Sequence, residues 1–219
     1  LSVFSAGLAV RESIIRVIDM SLPGQQAGLL NGMLIGYRKG LSKEVRQVFS
    51  DSGLTHIMAV SGANVAFIAA PLLFILRRLR LARKYAYPVV MGVLVFFAFI
   101  TGFEPSVARA VIMACIALAG RMLIREPDVL TSIALAASVL LICNPFTLFN
   151  IGFQLSFAAT LSLILFYKNI REIIKFKFMP AIAADTLAAT ISAQVGVLPV
   201  STFYFNKISL ISLISNLFV

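Results

Sequence analysis

The stretch VLTSIALAASVLLICNPFTLFNIGFQLSFAATLSLILFY, residues 129–167, runs for 39 residues without a charged side chain. A helix rises 1.5 Å per residue and needs about 20 residues to cross a hydrocarbon core of about 30 Å, so this run holds two spans. The turn between them falls at Asn144-Pro145 to Asn150, where proline interrupts the helix and asparagine suits its ends. The spacing predicts helices over residues 129–143 and 150–167.

Similar uncharged runs lie on both sides. Residues 57–76, 85–103, 105–124 and 179–200 each read as a span, with Pro105 at a first helical position. Residues 208–219 begin a seventh, too short to cross, so the chain is expected to continue. Of the 219 residues, 60% are hydrophobic and 13% charged, against about 45–50% and roughly 25% in soluble domains. No run alternates with period two, which excludes a β-barrel pattern. The expectation is an all-α polytopic membrane protein with about six to seven transmembrane helices.

Loop charges orient it. Arg77, Arg78, Arg80, Arg83 and Lys84, then Arg121 and Arg125, then Lys168, Arg171, Lys175 and Lys177 fall on one side, with Lys207 opposite. Basic loops favour the cytoplasm, which places the N-terminal region outside. Lys43 and Arg46, softened by Glu44 and Asp51, run against this rule.

Residues 1–56 differ from the permease-like region 57–219. Leu41, Val45, Val48 and Phe49 repeat at helical spacing among charges, with Ser42 as N-cap and Gly53 as stop, the pattern of an amphipathic helix. Gly28, Gly32, Gly36 and Gly40 recur every fourth residue. On one helix they would form a stripe that lets backbones approach closely, the alternative being a broken segment. No secretory signal is evident in the first residues.

Charges inside spans are costly and mark protein-facing or wet positions. Arg109 and Asp185 are such residues, the first near the outer end of its helix and the second near the cytoplasmic end of its own, and they therefore need separate partners. Arg109 has snorkelling or Glu104 as alternatives; Asp185 reads as an internal polar site, a helix-orienting group or a cation holder. Around them lie polar stripes: His56, Val60 and Asn64 on one face with Ser61 next to it; Gln154 and Ser156; Thr186, Thr190 and Gln194. Each is either interhelical hydrogen bonding or the wall of a wet passage. One histidine and two cysteines, Cys115 and Cys143, do not supply a zinc cluster or disulfide framework. No Walker loop is present for a nucleotide. Neither metal nor other cofactor is expected, and no catalytic constellation emerges; the chain does not read as an enzyme.

Several strings are similar to one family in the same order. Residues 53–65, GLTHIMAVSGANV, resemble the signature of the ComEC competence family, and so do the Gly28–Gly40 region with Tyr37-Arg38, PSVARA at 105–110, NPF with GFQLSF at 144–157, and QVGVLP at 194–199. The family differs in often having an acidic residue at the place of Tyr37 and a histidine at that of Asn64. The resemblance implies a bacterial inner-membrane, multi-pass channel core importing single-stranded DNA during natural transformation. It implies single-stranded DNA and the lipid bilayer as partners, an outer-face DNA receptor, and a cytoplasmic motor or single-strand-binding proteins. The nuclease would lie on another chain or domain. Ser61, Asn64, Arg109, Gln154, Asp185, Thr190 and Gln194 are the candidate lining of such a path. A secondary transporter of a small molecule or lipid precursor, using Asp185 for a proton or cation, is the alternative reading, and a non-conducting scaffold a third.

Overall fold

A computed structural model describes residues 3–37, 40–51, 60–125, 128–174 and 180–205. All regular structure among them is helical: α1 (Val3–Ser21), α2 (Gly24–Ile35), α3 (Lys43–Asp51), α4 (Gly62–Arg78), α5 (Arg83–Ile100), α6 (Pro105–Met122), α7 (Val129–Cys143), α8 (Ile151–Ile173) and α9 (Ala181–Phe205), with a 3-10 turn over Pro145–Phe149. Four of these, α5, α6, α8 and α9 through Tyr204, are long and apolar enough to cross a membrane, and α7 is a shorter apolar helix of 15 residues. The protein is an all-α polytopic membrane protein.

The chain packs as two units, residues 1–46 with 56–132 and residues 47–55 with 133–219. In the first, α4, α5 and α6 pack on one another, α1 packs on α5, and α2 on α1. The core falls on one stripe of α5, where Ala86, Val90, Leu94 and Ala98 are buried at every fourth position, against Val65 of α4 and Val107, Val111 and Leu118 of α6. The link from α5 to α6 turns through Gly102 (φ +69) and Phe103 (φ +55).

Two expectations change here. In the span expected over residues 57–76, the first described residues, Val60 and Ser61, are not helical. Val60 and Ser61 precede α4; Ser61 is extended (φ −109, ψ 166) and its Oγ accepts from the Ala63 N–H. A serine that caps a helix ends the extended segment before it, so the uncharged run is longer than the 17-residue helix it contains. Val60 and Asn64 therefore do not share a helical face; His56, Gly53 and residues 208–219 lie outside the described residues.

The glycine stripe is also not one helix. Gly36 adopts φ +74 and closes α2, its N–H donating to the Gly32 carbonyl at 3.1 Å, because glycine enters the left-handed region without a Cβ clash. A Cβ added to Gly28 would lie 2.7 Å from the Gly40 carbonyl carbon. Gly28 and Gly40 thus approach backbone to backbone, while Gly32 is buried within α2.

The turn read between residues 144 and 150 is present. Asn144 Oδ1 accepts from the Phe146 N–H at 3.0 Å and Asn150 Oδ1 from the Gly152 N–H at 2.8 Å, so Asn144 caps the 3-10 turn and Asn150 caps α8. In the second unit α8 and α9 pair antiparallel, with Ser162 opposite Ser192 and Tyr167 opposite Asp185.

Asp128 caps α7: its Oδ2 accepts from the Thr131 N–H at 2.7 Å and from Thr131 Oγ1 at 2.8 Å. These bonds, the backbone one first, hold its carboxyl below the usual carboxylate value. A depressed pKa contributes stability above the unfolded value near 4 that is lost as pH falls through the folded value. The protection factors of the amides in the first α7 turn, taken relative to the unstructured rate at each pH, should therefore fall below about pH 4 in the native chain, and be low and without that step in Asp128→Ala. An unchanged protection in the variant would remove the cap.

Candidate functional site

In the first unit, three separated stretches meet at one end of the α4–α5–α6 packing. Ser106 in the first turn of α6 donates its hydroxyl to the Val60 carbonyl at 2.8 Å. Asn64 in the first turn of α4 donates its amide to the Met33 carbonyl of α2 at 2.7 Å. A Cβ on Gly36 would lie 3.3 Å from Val60 Cγ2 and 3.4 Å from Glu104 Cγ. The first bond takes a carbonyl of the segment that precedes α4 and the second a carbonyl in the last turn of α2 that the helix leaves unused, and together they tie α6, α4 and α2 at this end.

Arg109 belongs to this junction. One helical turn after Ser106, it is half-buried, and its Nη2 is 3.5 Å from where a Cβ on Gly62 would be. Ala110 is on the same side, 3.2 Å from that position. Glycine at 62 lets α6 and its guanidinium come against the start of α4. A cation there adds to the positive end of the α4 dipole, an arrangement that favours an anion nearby.

The second unit has a different polar centre. Arg171 Nε pairs with Asp185 Oδ1, and the Tyr167 hydroxyl donates to the same oxygen at 3.1 Å. Along α9, Ala184, Ala188 and Ser192 are buried at every fourth residue, and Gly196 continues the series. Ser162 donates its hydroxyl to the Ser192 carbonyl at 2.7 Å. A Cβ on Gly196 would meet the Ala158 carbonyl oxygen and lie 2.5 Å from Ser162 Cβ.

The family described as Competence protein matches residues 33–219. The chain belongs to the competence protein family. It is 33% identical over 210 residues to ComE operon protein 3 of Bacillus subtilis, covering 96% of this chain and 26% of that protein. It is 26% identical to Recombination protein 2 of Haemophilus influenzae, over 86% of this chain and 26% of that one, and 31% identical to Competence protein ComA of Neisseria gonorrhoeae, over 63% and 21%. The chain spans about a quarter of the length of these curated relatives. No solved structure matches it.

Three of the strings that resemble the competence family supply the junction: Gly36-Tyr37, Val60 to Asn64, and Pro105 to Arg109. Of the sequence candidates, Ser61, Asn64 and Arg109 are brought together there. Ser61 serves as a cap and Asn64 as an interhelical donor, while Arg109 stands against Gly62. Gln154 donates its amide to the Leu148 carbonyl at 2.9 Å, bracing the turn before α8. Asp185 is apart from Gln154, opposite Tyr167 and Arg171 near the other end of α8. Thr190 and Gln194 are half-buried between them on α9. Among the described residues no group of three His, Cys, Asp or Glu could hold a metal ion.

Sequence reasoning missed Ser106, Gly62 and the Arg171 partner of Asp185. It also missed the small-residue stripe of α9, although its spacing, residues 184, 188, 192 and 196, is visible in the sequence.

Proposed function

We propose that this segment is the conducting core of a bacterial inner-membrane protein that imports single-stranded DNA during natural transformation. The observation that carries the reading is Arg109 set against the start of α4, where three competence-family strings converge. A conduit for a strand needs positive potential for phosphates and polar contacts that read no sequence. The basic loops lie in the cytoplasm in this reading, and the Arg109 junction faces outward, where an outer-face receptor delivers the strand. Motor or single-strand-binding proteins draw it in, and a nuclease on another domain or chain removes the complementary strand. The chain itself conducts and does not catalyse.

Asp185 supports this reading over a proton- or cation-coupled transporter. Its carboxylate is engaged by Arg171 and Tyr167, so it works as a link between α8 and α9. The experiment is gene deletion and complementation, scored by uptake of radiolabelled DNA. Loss of internalised strand with normal growth and normal surface-bound DNA is expected. Normal internalisation in the deletion strain, or solute flux in vesicles that depends on this chain, would overturn the proposal.

A further inference from the structure

We propose that the concavity between α1 and Tyr37 is a subsite for single-stranded DNA, with phosphates on Arg11 and Arg16 and a base against the Tyr37 ring. This rests on the conducting reading above and adds to it a site in the N-terminal helices.

Arg11 and Arg16 both line this concavity from α1 and lie five residues apart, about 7.5 Å along the axis. Among the described residues neither forms an ion pair. Tyr37 faces them from the residue after left-handed Gly36, so the turn that closes α2 also presents the ring. Leu8 and Ile15 supply apolar surface along the same groove. Cations that track a backbone beside an aromatic face are the combination that holds single strands without reading their sequence.

Two carboxylates temper the charge. Asp19 is tied to the wall, accepting from the amide of fully buried Asn31 at 2.9 Å. Glu12 is exposed in the groove. The four charges cancel, so the hold is weak, which suits a path where a strand must leave as readily as it arrives.

Position connects the groove to Arg109. Gly7 of α1 lies against Phe99 at the end of α5, with a Cβ there 3.1 Å from the Phe99 Cβ. Arg11 Nη1 is 3.2 Å from the Cβ position of Gly102, in the link that leads into α6. A strand leaving Arg11 is therefore beside the link that leads into α6, whose first two turns carry Ser106 and Arg109. The exposed apolar residues Val10 and Val17 lie on the other flank of α1, so a lipid chain there would not occupy the polar groove.

The test uses the native chain in bilayer nanodiscs with a fluorescent 5-iodouracil-containing oligothymidylate. Photocrosslinking to Tyr37 is expected. The double variant Arg11→Gln with Arg16→Gln, and Tyr37→Ala, should each weaken binding by about tenfold, while Tyr37→Phe retains it because the ring remains. Equal affinity in wild type and the double variant would overturn the subsite, as would a Tyr37→Phe loss as large as that of Tyr37→Ala. If the double variant instead loses affinity only for phosphatidylglycerol vesicles, the groove is a lipid site and the inference falls. Import that persists in the deletion strain removes the conducting reading. Import lost in Arg109→Gln together with unchanged oligonucleotide binding in the groove variants removes the subsite alone.

Discussion

Replacing Gly196 by leucine is expected to separate α8 from α9 and prevent the second unit from assembling. A Cβ at that position already lies 2.5 Å from Ser162 Cβ and 3.0 Å from the Ala158 carbonyl carbon. Carbon atoms prefer about 3.5–4.0 Å, so even alanine forces the helices roughly an ångström apart. Part of the obstruction is backbone, which cannot rotate away as a side chain could. In lipid, helices gain little from hydrophobic burial against each other and depend on close packing and interhelical hydrogen bonds. The Ser162 to Ser192 bond at 2.7 Å lies one turn away and would lengthen with the helices. Overpacking of this kind costs about 1–3 kcal/mol for a few added carbons, and leucine adds more. Thermal unfolding in detergent should show a modest fall in Tm for Gly196→Ala and no cooperative transition, or little accumulated protein, for Gly196→Leu. A wild-type Tm in the leucine variant would mean that the pairing of α8 with α9 is not as described.

That stripe also shows which parts of the structure the sequence made legible. Uncharged length sets the spans, because each crossing of about 30 Å must satisfy its own backbone, and the ends of α5, α6 and α7 lie within a few residues of expectation. Asn144 and Asn150 mark their turn because a cap is a local bond that needs no partner from elsewhere in the chain. Ser42 likewise accepts from the Val45 N–H at 3.3 Å at the start of α3.

Packing was less legible. The spacing of small residues seen from Gly28 through Gly40 occurs with the same period at residues 184 to 196, and only in the second does one helix carry all four. Glycine at Gly36 serves the left-handed turn rather than a helix face, and spacing does not distinguish the two uses. Nor does the sequence reveal that Asp185 meets Arg171. That pairing depends on antiparallel register between two helices, whereas hydropathy reports each helix alone. The convergence of Gly36, Val60 and Glu104 is likewise a long-range fact, although the strings that carry it are recognisable one by one.

Arg109→Gln is expected to reduce DNA import by about tenfold or more while the protein still accumulates in the membrane. Glutamine keeps polar donors on a shorter stem, and the bonds from Ser106 to Val60 and from Asn64 to Met33 are made by other side chains, so the junction should persist. The substitution removes one cation from beside the start of α4. Hydrogen bonds to a charged group contribute about 1.5–3 kcal/mol, which as a lost phosphate contact corresponds to at least an order of magnitude in rate or occupancy. Lysine separates two ways of making that contact. A point charge suffices if the strand slides past a diffuse field, and Arg109→Lys then retains much of the import; a forked, two-point grip on each phosphate is not reproduced by an ammonium. Glycine at 62 bears on the same question, since Gly62→Ala adds a carbon 3.5 Å from Nη2 and 3.2 Å from Ala110 Cβ, shifting the guanidinium without removing its charge. Import of radiolabelled strand, normalised to membrane-inserted protein, reads all three variants. Wild-type import by Arg109→Gln would take Arg109 out of the conduit. Import that falls in Arg109→Gln but not in Arg109→Lys would assign it to the field along the path, with the strand held elsewhere.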